Sequence, residues 1–139
     1  MNLQEARDFV ELVAGRKIPV NFYYSTKNRN ADFGAYYTNH KIWLNKRGKF
    51  AWRKKPLIEQ KRLLIHEIGH GEIEYSPSRS EREYRAQVWA INRAEELGMD
   101  DLATALRKDF ETWDNKLEWH SIYRVYVMAA RKAKKEGII

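Results

Sequence analysis

The spacing of apolar and polar positions divides the chain into a helical start, a strand-rich middle and a helical remainder. Leu3, Ala6, Val10 and Val13 recur at helical spacing and Gly15 follows, so residues 2–14 are expected to form a helix that ends at the glycine. After Pro19 the period changes, and "VNFYY" is aromatic and β-branched, the composition of a strand. "TKNRNAD" reads as a loop. "FGAYYTNHKIWLN" then reads as two strands about a tight turn at Asn39-His40, with Ile42 and Leu44 on one face. The aromatics of this region are read as half-buried core and not as a base-stacking platform. Lys46 to Lys55 is expected to be a polar, basic connection.

From Pro56 onward the pattern is helical. Pro56 suits a first helical turn, where its missing N–H costs nothing, and Leu57, Leu64, Ile65 and Ile68 supply a core face through to about Glu72. "SPSRS" is a turn. A helix from about Arg79 to Leu97 is closed by Gly98. Asp100 or Asp101 is expected to cap a further helix to Trp113, and Asp114 or Asn115 another to Lys135. These elements imply an α+β fold, a small antiparallel or mixed sheet packed on a helical bundle, in a single domain spanning 1–139.

Composition narrows the chemistry. With 139 residues, 43% of them hydrophobic and 32% charged, the chain has the balance of a globular protein. No apolar run approaches a membrane span, and the acids of "MNLQEARDFVELVAG" replace the basic, apolar start of an export signal; a cytoplasmic location is expected. Cysteine is absent, so a transition metal would have to be held by histidine and carboxylate. The formal charge of +7 is spread along the chain, with small clusters at Arg53–Lys55 and Arg131–Lys135. Nucleic-acid binding is possible on that account but not favoured over a solvated basic surface.

Two of the four histidines fall within "LLIHEIGHGEIEY". Residues four apart share a helix face, so His66 and His70 can each offer one ring nitrogen to a single ion. Glu67 lies about 100° around the helix, placed to reach a water on that ion without ligating it. Neutral imidazoles suit zinc, which lowers the pKa of a bound water to roughly 7 so that the carboxylate can take its proton. Leu64, Ile65 and Ile68 anchor the back of this helix, and Gly69 permits close backbone approach.

Catalytic zinc needs a third protein ligand and one open position. Glu72 and Glu74 sit too close to the motif, on the same helix end. A following antiparallel helix would return an acid from "SEREYRAQVWA", where Glu83, Ala86, Gln87 and Ala90 share a face. Ser80-x-x-Glu83 is a capping box that would occupy Glu83, but Ser78-x-x-Glu81 offers the same box and leaves Glu83 available. Glu83 is therefore preferred to Glu81 as ligand, with Gln87 hydrogen-bonding near the metal.

With these residues placed, the chain resembles the ImmA/IrrE family of small zinc metallopeptidases, within the gluzincins. "KIWLN" (Lys41–Asn45) is similar to the family strand, "HEIGH" (His66–His70) to its first motif helix, and "EYRAQVWA" (Glu83–Ala90) to its second. Gln87 stands where the family has Asn or Asp. The likeness covers Pro19 to Ala94. It implies a minimal zincin-like fold with one zinc ion per chain, His66, His70 and Glu83 as ligands, and Glu67 as general base or acid. It also implies an endopeptidase acting on an intracellular protein, such as a DNA-binding repressor or regulator, in a family often carried on phages and mobile elements.

In proteases of this layout the strand nearest the motif takes substrate as an added strand, so Lys41, Ile42, Trp43, Leu44 and Asn45 are expected to form that edge. Tyr36, Tyr37, His40, His120 and Tyr123 are candidates, by residue type, to stabilise an oxyanion. SprT-like proteases, which act beside DNA, share the strand-then-motif layout, but their third ligand is a histidine just past the motif and "GEIEYSPS" has none. A regulatory or nucleic-acid-binding module that keeps zinc for stability is the rival from another class; Glu67 argues against it, because a structural site needs no base.

Overall fold

A computed structural model describes residues 1–23, 34–48, 51–115 and 121–139, with the side chains of 121 and 122 outside the description. The fold class is α+β, as expected: the described residues form five α-helices and an open three-stranded mixed sheet. Contacts divide the chain into two units, Met1–Gly71 and Glu72–Ile139. No helix of the described residues is long and apolar enough to cross a membrane.

The first unit opens with helix α1, Leu3–Ala14. Asn2 caps it through a reciprocal box with Glu5, and Gly15 ends it at φ +72°, a left-handed conformation that favours glycine. Ala6, Phe9, Val10 and Val13 form its buried stripe. Strands β1 (Val20–Tyr23), β2 (Ala35–Thr38) and β3 (Lys41–Asn45) follow. Thr38 pairs with Lys41 across Asn39 and His40, which lie at φ +52° and +62°. Two successive left-handed residues make the mirror-image turn whose twist matches that of a hairpin. Ile42 and Leu44 share the buried face, both 0% exposed.

The sheet order is β1-β3-β2, with β1 parallel and β2 antiparallel to β3. The loop "TKNRNAD" lies outside the described residues. Ile42 N–H donates to Pro19 O at 2.9 Å, and Asn45 N–H to Gly34 O at 2.8 Å. The backbone of β3 is thus engaged on both sides. On β1 that ladder leaves the peptide groups of Val20 and Phe22 directed away from β3. Arg7 of α1 donates through Nε to Val20 O at 3.0 Å and through Nη2 to the Asn21 side chain at 3.0 Å.

The connection from Lys46 to Lys55 is not wholly polar surface. Ala51 and Trp52 are each 1% exposed, Trp52–Lys54 forms a 3-10 turn, and the buried Gln60 amide donates to Trp52 O at 3.0 Å. Helix α2, Leu57–Glu72, starts directly after Pro56. Leu64, Ile65 and Ile68 are fully buried, but Leu57 is 53% exposed; it belongs to the first turn, beyond the reach of the core stripe.

The second unit consists of α3 (Arg79–Glu96), α4 (Asp100–Asp114) and α5 (Ser121–Lys135), packed on one another. Ser78 caps α3 by accepting from Glu81 N–H at 3.2 Å, so the helix starts at the earlier of the two boxes. The cap is not reciprocal, because the Glu81 carboxylate turns to cations instead. Lys132 Nζ of α5 donates to its two oxygens at 2.7 and 2.6 Å, and Arg85 Nε to one of them at 3.0 Å. The same ammonium stands 4.5 Å from the Tyr84 ring centroid.

Neither Asp100 nor Asp101 caps α4: Met99 holds that position with no side-chain bond, and the two acids occupy the first turn, where they complement the helix dipole. Asp114 ends α4 and Asn115 is its C-cap, so neither starts α5.

The Lys132 ammonium, followed by Arg85, holds the Glu81 carboxyl below the usual carboxylate range. A lowered native pKa adds stability that is present above the unfolded pKa and disappears as pH falls through the native one. Glu81→Gln is therefore expected to lose about 1 kcal/mol at neutral pH, the scale of a partly exposed ion pair. Its deficit against the parent should close in denaturant titrations below about pH 4.

Candidate metal centre

Helix α2 brings His66, Glu67 and His70 together within the first unit. Each offers one ligand atom, and the three atoms lie within 4.8 Å of one another, a grouping that can hold a metal ion. The two imidazoles stand at 83° with centroids 4.8 Å apart, and their Nε2 atoms are 3.1 Å apart. Two nitrogens on one tetrahedral ion, each at about 2.0–2.1 Å, would stand about 3.3 Å apart, so the pair fits a bidentate clamp with little adjustment. The donor set of two imidazoles and a carboxylate, without thiolate, suits zinc and other borderline divalent ions.

The local reasons are visible in the helix. Leu64, Ile65, Ile68 and Gly69 are buried, which turns the intervening His66, Glu67 and His70 to the other side. Glu67 and His70 are half-buried, so both keep access to solvent. Gly71, one turn beyond Glu67, takes a close neighbour from the hairpin: an added Cβ would meet the Tyr37 hydroxyl at 2.9 Å. Tyr37 pairs with Ile42 and so points to the same face of the sheet.

Lys41–Asn45 was expected to be an exposed edge for substrate, and the sheet order corrects this. Lys41, Ile42, Trp43, Leu44 and Asn45 form the central strand, whose peptide groups are paired with both neighbours, and Ile42, Leu44 and Asn45 are buried. A chain cannot pair with a strand whose two sides are taken. Among the described residues, the outer edges belong to β1 and β2. The contact of the hairpin with α2 comes instead through Tyr37, on the neighbouring strand.

Glu83 and Gln87 belong to the second unit, on the buried face of α3 with Ala86 and Ala90. Glu83 is 8% exposed. Gln87 Nε2 donates to Leu106 O of α4 at 2.9 Å, so part of its amide joins two helices, a use that the sequence did not signal. Glu81, the other acid considered as ligand, is held by Lys132 and Arg85.

The five oxyanion candidates separate. Tyr36 lies on the opposite face of β2 from Tyr37, its ring 5.1 Å from that of Tyr23, and burial pushes its phenol pKa up. Tyr123 is on α5, and His120 lies outside the described residues. Tyr37 and His40 are hydrogen-bonded to each other, hydroxyl to Nδ1, at 3.0 Å.

Comparison of the chain with models of known families, with curated proteins and with solved structures finds no match.

A divalent ion is expected to bind the histidine pair. Calorimetric titration with zinc should show about one equivalent per chain, and His66→Ala should weaken binding by at least about 100-fold, because it removes one arm of the clamp. Unchanged binding in that variant would place the ion elsewhere.

Proposed function

We propose that the protein is a zinc-dependent endopeptidase acting on an intracellular protein substrate. The observation that carries this reading is the His66–His70 clamp, its Nε2 atoms 3.1 Å apart, with the Glu67 carboxylate in the same cluster. His66 and His70 would hold zinc as neutral imidazoles, and the resemblance to ImmA/IrrE proteins implies Glu83 as the third ligand. When bound, zinc supplies positive charge that acidifies water and polarises the scissile carbonyl.

The chain's own part is then proton management and orientation. Glu67 takes a proton from the attacking water on a carboxylate oxygen and passes it to the departing amine nitrogen, acting first as base and then as acid. Glu67 is half-buried and clusters with the two imidazoles, which places its carboxylate beside the water that an ion there would hold.

An extended substrate would lie along β2. The register alternates paired and outward-facing residues, so the peptide groups of Ala35 and Tyr37 are directed away from β3. Main-chain bonds there would hold the peptide beside the hairpin face whose tyrosine reaches α2. The resemblance to ImmA/IrrE proteins supports a repressor-like or regulatory protein as the target.

Glu67→Gln tests the chemistry. The change is nearly isosteric, so fold and zinc content should be kept while peptide-bond cleavage falls about 100- to 10,000-fold. The assay is proteolysis of a repressor-like protein encoded beside this chain, followed by mass spectrometry. Equal cleavage by the zinc-loaded variant and parent would sink the mechanism. Glu83→Ala should instead lower zinc affinity itself, which separates the third ligand from the base.

A further inference from the structure

The geometry points to the Tyr37 hydroxyl, oriented by His40, as the hydrogen-bond donor to the substrate carbonyl oxygen while that oxygen gains negative charge. This rests on the metallopeptidase reading above and adds to it the group that offsets the developing charge.

Three observations converge on this hydroxyl. The first is position. A side chain at residue 71 would meet the Tyr37 oxygen at 2.9 Å, so the hydroxyl stands against Gly71. Residue 71 lies one helical turn beyond Glu67 on the same stripe and directly follows His70. The phenol therefore sits at the C-terminal end of the stripe that carries the base, beside the stripe that carries the two imidazoles.

The second is hydrogen-bond capacity. Among the described residues, the Tyr37 hydroxyl has one partner, His40 Nδ1 at 3.0 Å. With the His40 proton on Nδ1, the imidazole donates to the phenol oxygen, and the phenol proton is left for another acceptor. A phenol that receives such a bond is a better donor. His40 is exposed, so its other nitrogen is open to solvent.

The third is rigidity. His40 is the second residue of the two-residue turn, at φ +62°, and Tyr37 stands on the strand that leads into it, so the hairpin itself holds the pair together. A donor fixed before the reaction stabilises new charge without reorganising. His40 acts through Tyr37 and is a positioning residue.

The test uses the full chain, zinc and an N-phosphorylated leucine dipeptide, whose tetrahedral anion mimics the charged intermediate. Zinc affinity and dipeptide affinity are measured by calorimetry for the parent, Tyr37→Phe, His40→Ala, Gly71→Ala and His66→Ala. Tyr37→Phe should keep the parent's zinc affinity and lose about 10- to 100-fold in dipeptide affinity, the scale of one hydrogen bond to a charged group. Gly71→Ala should lose a similar factor, because its methyl displaces the hydroxyl without touching a ligand. His40→Ala should lose less.

Equal dipeptide affinity in Tyr37→Phe and parent, with zinc bound in both, removes Tyr37 and leaves the metal site standing. A loss of zinc affinity in Tyr37→Phe assigns the phenol a structural role and overturns the proposal too. So does a zinc-loaded parent that ignores the dipeptide. A parent that takes up no zinc, like His66→Ala, removes the metallopeptidase reading together with the proposal.

Discussion

The pitch of one helix governs the arrangement of the candidate site. Over Leu64–Gly71, α2 must bury Leu64, Ile65 and Ile68 while it turns His66, Glu67 and His70 the other way. A rotation of 100° per residue meets both demands. An insertion or deletion within "HEIGH" would swing an apolar residue into the cluster or an imidazole into the core. Spacing therefore matters more here than any single side chain, because it fixes the 3.1 Å between the two ring nitrogens.

Much of this was legible in the sequence, because local rules and tertiary packing agree. Asn39-His40 marked the hairpin turn, and both residues do hold positive φ. Gly15 ended α1, and the cap at Ser78 started α3. The errors fall where a local pattern has two outcomes. Alternating apolar residues in "KIWLN" fit an edge strand or a central one equally well. Only the order β1-β3-β2 decides, and it depends on a crossover whose destination no local signal encodes. Trp52 was hidden because lysines and arginines surround it, although an indole among charges can be buried by a single turn. Asp100 and Asp101 were credible caps by type, but both entered the helix and left Met99 at the boundary.

Polar side chains outside the motif hold secondary elements together, and the burial of such groups is easily mistaken for function. Gln60 fastens the 3-10 turn to α2, and Gln87 fastens α3 to α4. Each satisfies a buried carbonyl with a buried amide, which avoids an unpaired polar group. The Glu81–Lys132 pair does similar work for α3 and α5, with water covering part of it. A glutamine or glutamate on a buried face thus carries little chemical meaning until its partner is known.

Arg7 has a consequence for how the molecule meets copies of itself. The sheet is open, and an unprotected edge is a template on which another strand can form, the first step of fibrillar self-assembly. At β1 the outward carbonyl of Val20 already accepts from the Arg7 guanidinium. An incoming strand would have to displace that bond before it could pair with Val20. The arginine thus occupies one of the acceptors that a neighbouring copy would need at this edge, the way charged side chains blunt exposed strands in other sheets.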